Sequence, residues 1–99
     1  MGDGEAEDLE QLYLEALASP MRREILRRAL DTEEAISPGR ISKKLGQDLP
    51  KVSYHVRVLA DHGLMTLAFT KRVRGTIAHF YVVDRSALEH PIVKAWLCR

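Results

Sequence analysis

Lys51, Ser53, Tyr54 and Arg57 fall within seven consecutive residues, and each carries a cation or a hydrogen-bonding group with no carboxylate among them. Cations attract phosphate by charge, and hydroxyls and guanidinium groups read the hydrogen-bonding edges of bases, so the set suits a polyanion whose surface carries information. Arg40, Lys43 and Lys44 lie just upstream, and Lys71, Arg72 and Arg74 downstream. Residues 37–76 hold eight Lys or Arg against only Asp48 and Asp61. The net charge of +1 hides this asymmetry: Asp3, Glu5, Glu7, Asp8, Glu10 and Glu15 give the first 15 residues −6, which leaves +7 for the rest. One basic cluster is usually a solvated face. Three that fall on one expected surface favour phosphate attachment.

The elements that must position these groups follow from periodicity. Val52, Val56 and Leu59 recur at i, i+4 and i+7, one apolar stripe of a helix over 49–62. Asp48 offers an N-terminal cap, Pro50 fits only a first turn, and Gly63 can supply a left-handed end. Residues 38–45 form a shorter helix, with Ser37 as cap, Pro38 at its first position, Ile41 and Leu45 inward, and Gly46 after it. Two short helices around a glycine, the second displaying polar groups, make a helix-turn-helix whose second helix would enter the major groove of double-stranded DNA. After Gly63 the period changes to two. TLAFTKR and TIAHFYVV read as strands of a hairpin with Lys71, Arg72 and Arg74 at its tip, a wing over 70–76.

The ends of the chain are amphipathic. Leu9, Leu12, Tyr13, Ala16 and Leu17 form a stripe on a first helix, and Ile92, Val93, Trp96 and Leu97 form an apolar face after Pro91. Leu9, Leu12, Tyr13, Leu17, Ile92, Val93, Trp96 and Leu97 are therefore expected at a homodimer interface, with Trp96 as its anchor or packed on the first helix. Between the ends, Ser19 and Pro20 start a helix with Met21, Ile25, Leu26, Ala29 and Leu30 inward. Its Arg22, Arg23, Arg27 and Arg28 lie mostly outward, facing either phosphate or the acidic first helix and Glu24. Residues 35–36 can form a very short strand, and Asp84 can cap a last helix that Pro91 interrupts. The expected fold is mainly α with a small β-hairpin: one winged helix-turn-helix domain over 9–99, dimeric through its N- and C-terminal helices, after a frayed acidic segment 1–8.

Ninety-nine residues, 45% of them apolar, suffice for one modest core. Cys98 is the single cysteine and forms no internal disulfide, which fits a reducing cytoplasm. Neither a targeting segment nor a membrane span is expected. Gly-rich phosphate loops, nucleophile elbows and carboxylate pairs with a histidine partner are absent from the sequence, so no catalytic residue is expected. Among the histidines, His55 beside the apolar stripe is expected to orient a backbone or phosphate contact, whereas His62 and His79 read as surface or strand residues. The competing class is a winged-helix module for protein interaction or dimerisation.

ALASPMRREILRRAL, ISKKLGQDLPKVSYHVRVLADHGLM and RGTIAHFYVV together resemble the arsenical-resistance-repressor (ArsR) family of bacterial winged-helix transcription regulators. The resemblance covers residues 16–83, and its most specific part is the pattern V-S-Y-H-V-x-x-L-x-x-x-G-L. It implies a homodimeric repressor, with recognition helices in successive major grooves and wings along the backbone. Its metal-sensing members carry a cysteine-rich segment on the helix before the turn, where residues 40–45 of this chain read RISKKL. A second family site uses Asp and His on the last helix; Asp84 and His90 are present without a further spaced His. Three or four donors are needed for zinc, so neither a metal nor another cofactor is expected. An effector, if one exists, would be a small molecule, another protein or the concentration of the chain itself.

Overall fold

The structure, a computed structural model, describes residues 2–97, with side chains from Asp8 onward. Four helices come first: α1 (Gly2–Leu17), α2 (Pro20–Leu30), α3 (Pro38–Leu45) and α4 (Leu49–Asp61). A hairpin of β1 (Met65–Val73) and β2 (Thr76–Val83) follows, then α5 (Arg85–Leu88) and α6 (Pro91–Leu97). Helix α1 begins at Gly2 rather than near Leu9, because helical backbone continues upstream of the apolar stripe. Cys98 lies outside the described residues.

Local chemistry sets the boundaries. Ser19 Oγ accepts from the Arg22 N–H at 3.2 Å, and Ser37 Oγ from the Arg40 N–H at 3.3 Å. Gly46 (φ 65°) and Gly63 (φ 79°) take the left-handed conformation that ends α3 and α4. After α4 the Leu64 N–H bonds the Leu59 carbonyl and the Gly63 N–H bonds that of Ala60, so two otherwise orphaned carbonyls are satisfied. Asp48 departs from expectation: it sits at the α4 cap position without a side-chain capping bond. Pro50 occupies the second helical position and has no N–H, which removes one of the two donors that an N-cap side chain can reach. Asp84 does cap α5, its Oδ1 accepting from the Ser86 and Ala87 N–H groups at 2.9 and 3.1 Å. His90 caps α6, with Nδ1 accepting from the Ile92 N–H at 3.2 Å.

One core collects the inward stripes. Leu17, Ile25, Leu26, Ile36, Ile41, Val52, Val56, Leu59, Leu64 and Val93 are fully buried. Each such side chain contributes about 1.5–3 kcal/mol of transfer free energy. Tyr13, Leu17, Val93 and Leu97 belong to this same core, which corrects their assignment to a dimer interface: α1 and α6 close on the body of their own protomer. Of the residues expected to meet a partner, Leu9 and Leu12 are exposed, while Ile92 and Trp96 are half-buried. Leu14 is exposed on α1 as well, at a position outside the expected stripe.

The antiparallel hairpin pairs Met65 with Val83 and Val73 with Thr76, with a bulge at Ala68 between the Leu67–Tyr81 and Phe69–Phe80 pairs. Its base gains a third short segment, because Ile36 and Tyr81 exchange two backbone bonds of 2.9 Å, realising the short strand expected at 35–36. At the tip Arg74 (φ 51°) and Gly75 (φ 82°) both lie left-handed, the two-residue turn that matches strand twist. Among the described residues no helix is long and apolar enough to cross a membrane.

Candidate nucleic-acid interface

Helix α4 buries Val52, Val56 and Leu59 and turns Lys51, Tyr54 and Arg57 outward, with Ser53 half-buried at the edge. Tyr54 is 56% exposed, a large ring left mostly uncovered by its own protomer. Arg40, Lys43 and Lys44 are exposed on α3, and Lys71, Arg72 and Arg74 on the outer third of the hairpin. None of these cations makes a side-chain hydrogen bond or ion pair among the described residues. Long cationic side chains beside carboxylates would have closed into pairs; with only Asp48 and Asp61 nearby in sequence, they stay open to solvent.

Between α4 and the wing runs a cleft of about 570 Å³, lined by Ser53 and Arg57 from α4, residues 37–39 at the start of α3, and Ile77, His79 and Tyr81 from β2. It joins the helix face to the wing. His79, a plain strand histidine by sequence, shares this cleft with Arg57. The signal for its placement is the two-residue spacing of Ile77, His79 and Tyr81, which puts all three on one strand face.

Three arginines of α2 belong elsewhere: Arg22 and Arg23 meet the first helix, one of the two partners the sequence leaves open, through its backbone carbonyls rather than its carboxylates, and Arg27 meets α6. Arg22 donates from Nε to the Ala16 carbonyl at 2.7 Å and from one terminal nitrogen to the Glu15 carbonyl at 3.1 Å. Arg23 donates to the Leu17 carbonyl and lies 5.1 Å from the centre of the Trp96 ring. Arg27 donates to the Trp96 carbonyl at 3.4 Å. Three cations thus meet the carbonyl ends of α1 and α6, where unsatisfied acceptors and the helix dipole favour positive charge. Trp96, expected to anchor a partner, packs against Arg23 in its own protomer.

His55 likewise turns inward. Its Nδ1 lies 3.1 Å from the second terminal nitrogen of Arg22, and its ring meets that of Tyr54 edge-on at 5.2 Å. Arg22 can only donate, so Nδ1 is the acceptor and the neutral imidazole carries its proton on Nε2. Burial, then the charges of Arg22 and Lys51, hold the His55 pKa below the ordinary imidazole value. With Nδ1 engaged by Arg22, His55 supports the helix rather than offering that nitrogen to phosphate. Asp84 and His90 are committed as helix caps, and among the described residues no group of three His, Cys, Asp or Glu side chains is arranged to hold a metal ion.

Comparison with known proteins agrees with this architecture. A homodimeric winged helix-turn-helix DNA-binding domain from Mycobacterium bovis, Mb0332, described as a possible ArsR-family transcriptional regulator, superposes with a TM-score of 0.68 at 19% identity, over 86% of this chain and 72% of that one. HlyU from Vibrio cholerae gives 0.64 at 27% identity, covering 98% and 90% of the two chains. NolR from Sinorhizobium fredii gives 0.63 at 25%, covering 95% and 86%. No curated protein matches the sequence significantly. The family model described as a helix-turn-helix domain matches residues 17–68, from the end of α1 into β1, and the chain belongs to that helix-turn-helix family.

Proposed function

We propose that the chain is a sequence-specific DNA-binding transcription regulator of the ArsR type, acting in the cytoplasm as a homodimeric repressor that occupies its promoter. The observation that carries this reading is the continuous run of unpaired cations on α3, α4 and the wing, with Asp61 in the last turn the one acid within α4. Helix α4 enters the major groove, where Tyr54 and Arg57 contact base edges and Lys51 and Ser53 fix the helix against the backbone. Lys71, Arg72 and Arg74 follow the backbone or the adjacent minor groove. The homodimeric Mycobacterium bovis domain supports a two-fold assembly. In this chain the surface left for it is Leu9, Leu12 and Leu14 of α1 with the half-buried Ile92 and Trp96 of α6.

Selection of bound fragments from the source genome tests the reading. Retained fragments should share one motif with two half-sites about one helical turn apart. Arg57→Ala and Tyr54→Ala should then each lower discrimination between that motif and random duplex by about 1–3 kcal/mol. Equal weakening on both DNAs would assign the two residues to the phosphate backbone. Failure to retain any fragment would leave the interaction-module reading in its place.

A further inference from the structure

One guanidinium group joins three elements. Arg22, on α2, holds the Glu15 and Ala16 carbonyls at the end of α1 with two donors and His55 Nδ1 on α4 with a third. The link runs from the helix proposed for dimer contact to the helix proposed for base contact, and it is side chain to backbone at one end and side chain to side chain at the other. We infer that Arg22 is a positioning residue that couples the end of α1 to the recognition helix, and that protonation of His55 opens the coupling at its α4 end. The DNA consequence rests on the function proposed above; the coupling itself does not.

The chemistry has one direction. Neutral His55 accepts from Arg22 through Nδ1, whereas protonated His55 has no lone pair there and faces a guanidinium 3.1 Å away. No carboxylate compensates. On its own helix Lys51 adds a further positive charge. Glu15, from α1, spends its carboxylate on Gln11 at 3.2 Å and His62 at 3.3 Å. Arg40, Lys43 and Lys44 of α3 are exposed cations, Lys71 and Arg72 lie at the far end of β1, and the one acid within α4, Asp61, is exposed in its last turn. The proton therefore meets positive groups on both sides, and acidification detaches α4 from Arg22. His62 Nε2 meets the Glu15 carboxylate at 3.3 Å, on a side chain more than half exposed, so solvent screens that contact.

Two measurements on the intact protein test this. In the free protein, a ¹⁵N-resolved titration of the imidazoles should show His55 as the Nε2–H tautomer at neutral pH, with a midpoint below that of an ordinary histidine. The Glu15 and Ala16 carbonyl ¹³C resonances should shift with that midpoint, and in His55→Gln the shift should vanish. Independent titration of those carbonyls, or an Nδ1–H tautomer, overturns the coupling whatever the protein does with DNA. In fluorescence anisotropy on a selected duplex, wild-type affinity should fall about five- to tenfold further than that of His55→Gln between pH 7.5 and 5.5, within the range of coupling between two sites. All other side chains are common to both proteins and cancel. Arg22→Lys, a single ammonium that cannot span three acceptors, should bind more weakly at pH 7.5 and show no such pH response. Parallel pH profiles for all three proteins overturn the role in positioning, and absence of DNA binding by the wild type overturns the function instead.

Discussion

Two groups of cations occupy the same small protein and behave differently. On the α1–α2–α6 side, Arg22, Arg23 and Arg27 are consumed by carbonyls and the Trp96 ring. On the α3–α4–wing side, Arg40, Lys43, Lys44, Lys51, Arg57, Lys71, Arg72 and Arg74 reach no side-chain partner among the described residues. The difference lies in what surrounds them. Helix α2 runs past the carbonyl ends of two other helices, so its arginines find acceptors that water would otherwise have to satisfy. Helices α3 and α4 bury their apolar stripes and present their other faces to solvent, with nothing to neutralise them. A basic residue is a strap in the first setting and stays open to solvent in the second, where the proposed function has it meet an external anion.

The largest effect is expected in the core that separates the two sides. Leu17→Ala removes a fully buried side chain and should cost about 2–5 kcal/mol in denaturant unfolding. Leu12→Ala, 37% exposed, should change the stability of the isolated protomer by under about 0.5 kcal/mol. Comparable costs would mean that α1 packs differently.

Next come the open cations. Neutralising Lys71, Arg72 and Arg74 together should weaken binding to every duplex and flatten its salt dependence by up to about 0.9 for each phosphate that is no longer neutralised. An unchanged slope would put the wing tip in solvent.

A direct exchange between the two sides follows. Arg22→Ala should lower stability by about 1–3 kcal/mol, since acceptors at the end of α1 are deprived of their donors. Arg57→Ala should leave stability within about 0.5 kcal/mol while reducing DNA affinity. If Arg57 carried the larger stability cost, the division between straps and contacts would fail.

The smallest effect concerns Arg74, a non-glycine residue at φ 51°. Asparagine tolerates that conformation better, so Arg74→Asn should raise hairpin stability by under about 1 kcal/mol in thermal unfolding while weakening DNA binding. A lower stability would show that the arginine stem packs on the wing.

Periodicity and capping make the fold legible: the stripe at Val52, Val56 and Leu59, the glycines at 46 and 63, and the switch to period two all reappear as α4, the ends of α3 and α4, and the hairpin. What could not be read is tertiary. The stripes at Tyr13 and Leu17 and at Val93 and Leu97 look the same whether they close on their own protomer or on a second one, and three-dimensional proximity decides for the protomer. The outward arginines of α2 give no hint of the carbonyls they meet, because backbone acceptors have no sequence signature. His55 sits one position from Tyr54 with no sign that Arg22, 33 residues away, engages it. Within the proposed contact surface, the sequence shows the α4 and wing residues but not His79, whose place in the cleft depends on the angle between hairpin and helix.

On the proposed function the open cationic side, and not the strapped side, receives DNA. Amide hydrogen exchange of the protein with and without a duplex selected from the source genome addresses it directly. Protection should concentrate on residues 40–57 and 70–76, with α2 unchanged around Arg22 and Arg27. Protection confined to α1 and α6, with the α4 face and wing exchanging as in the free protein, would contradict the account.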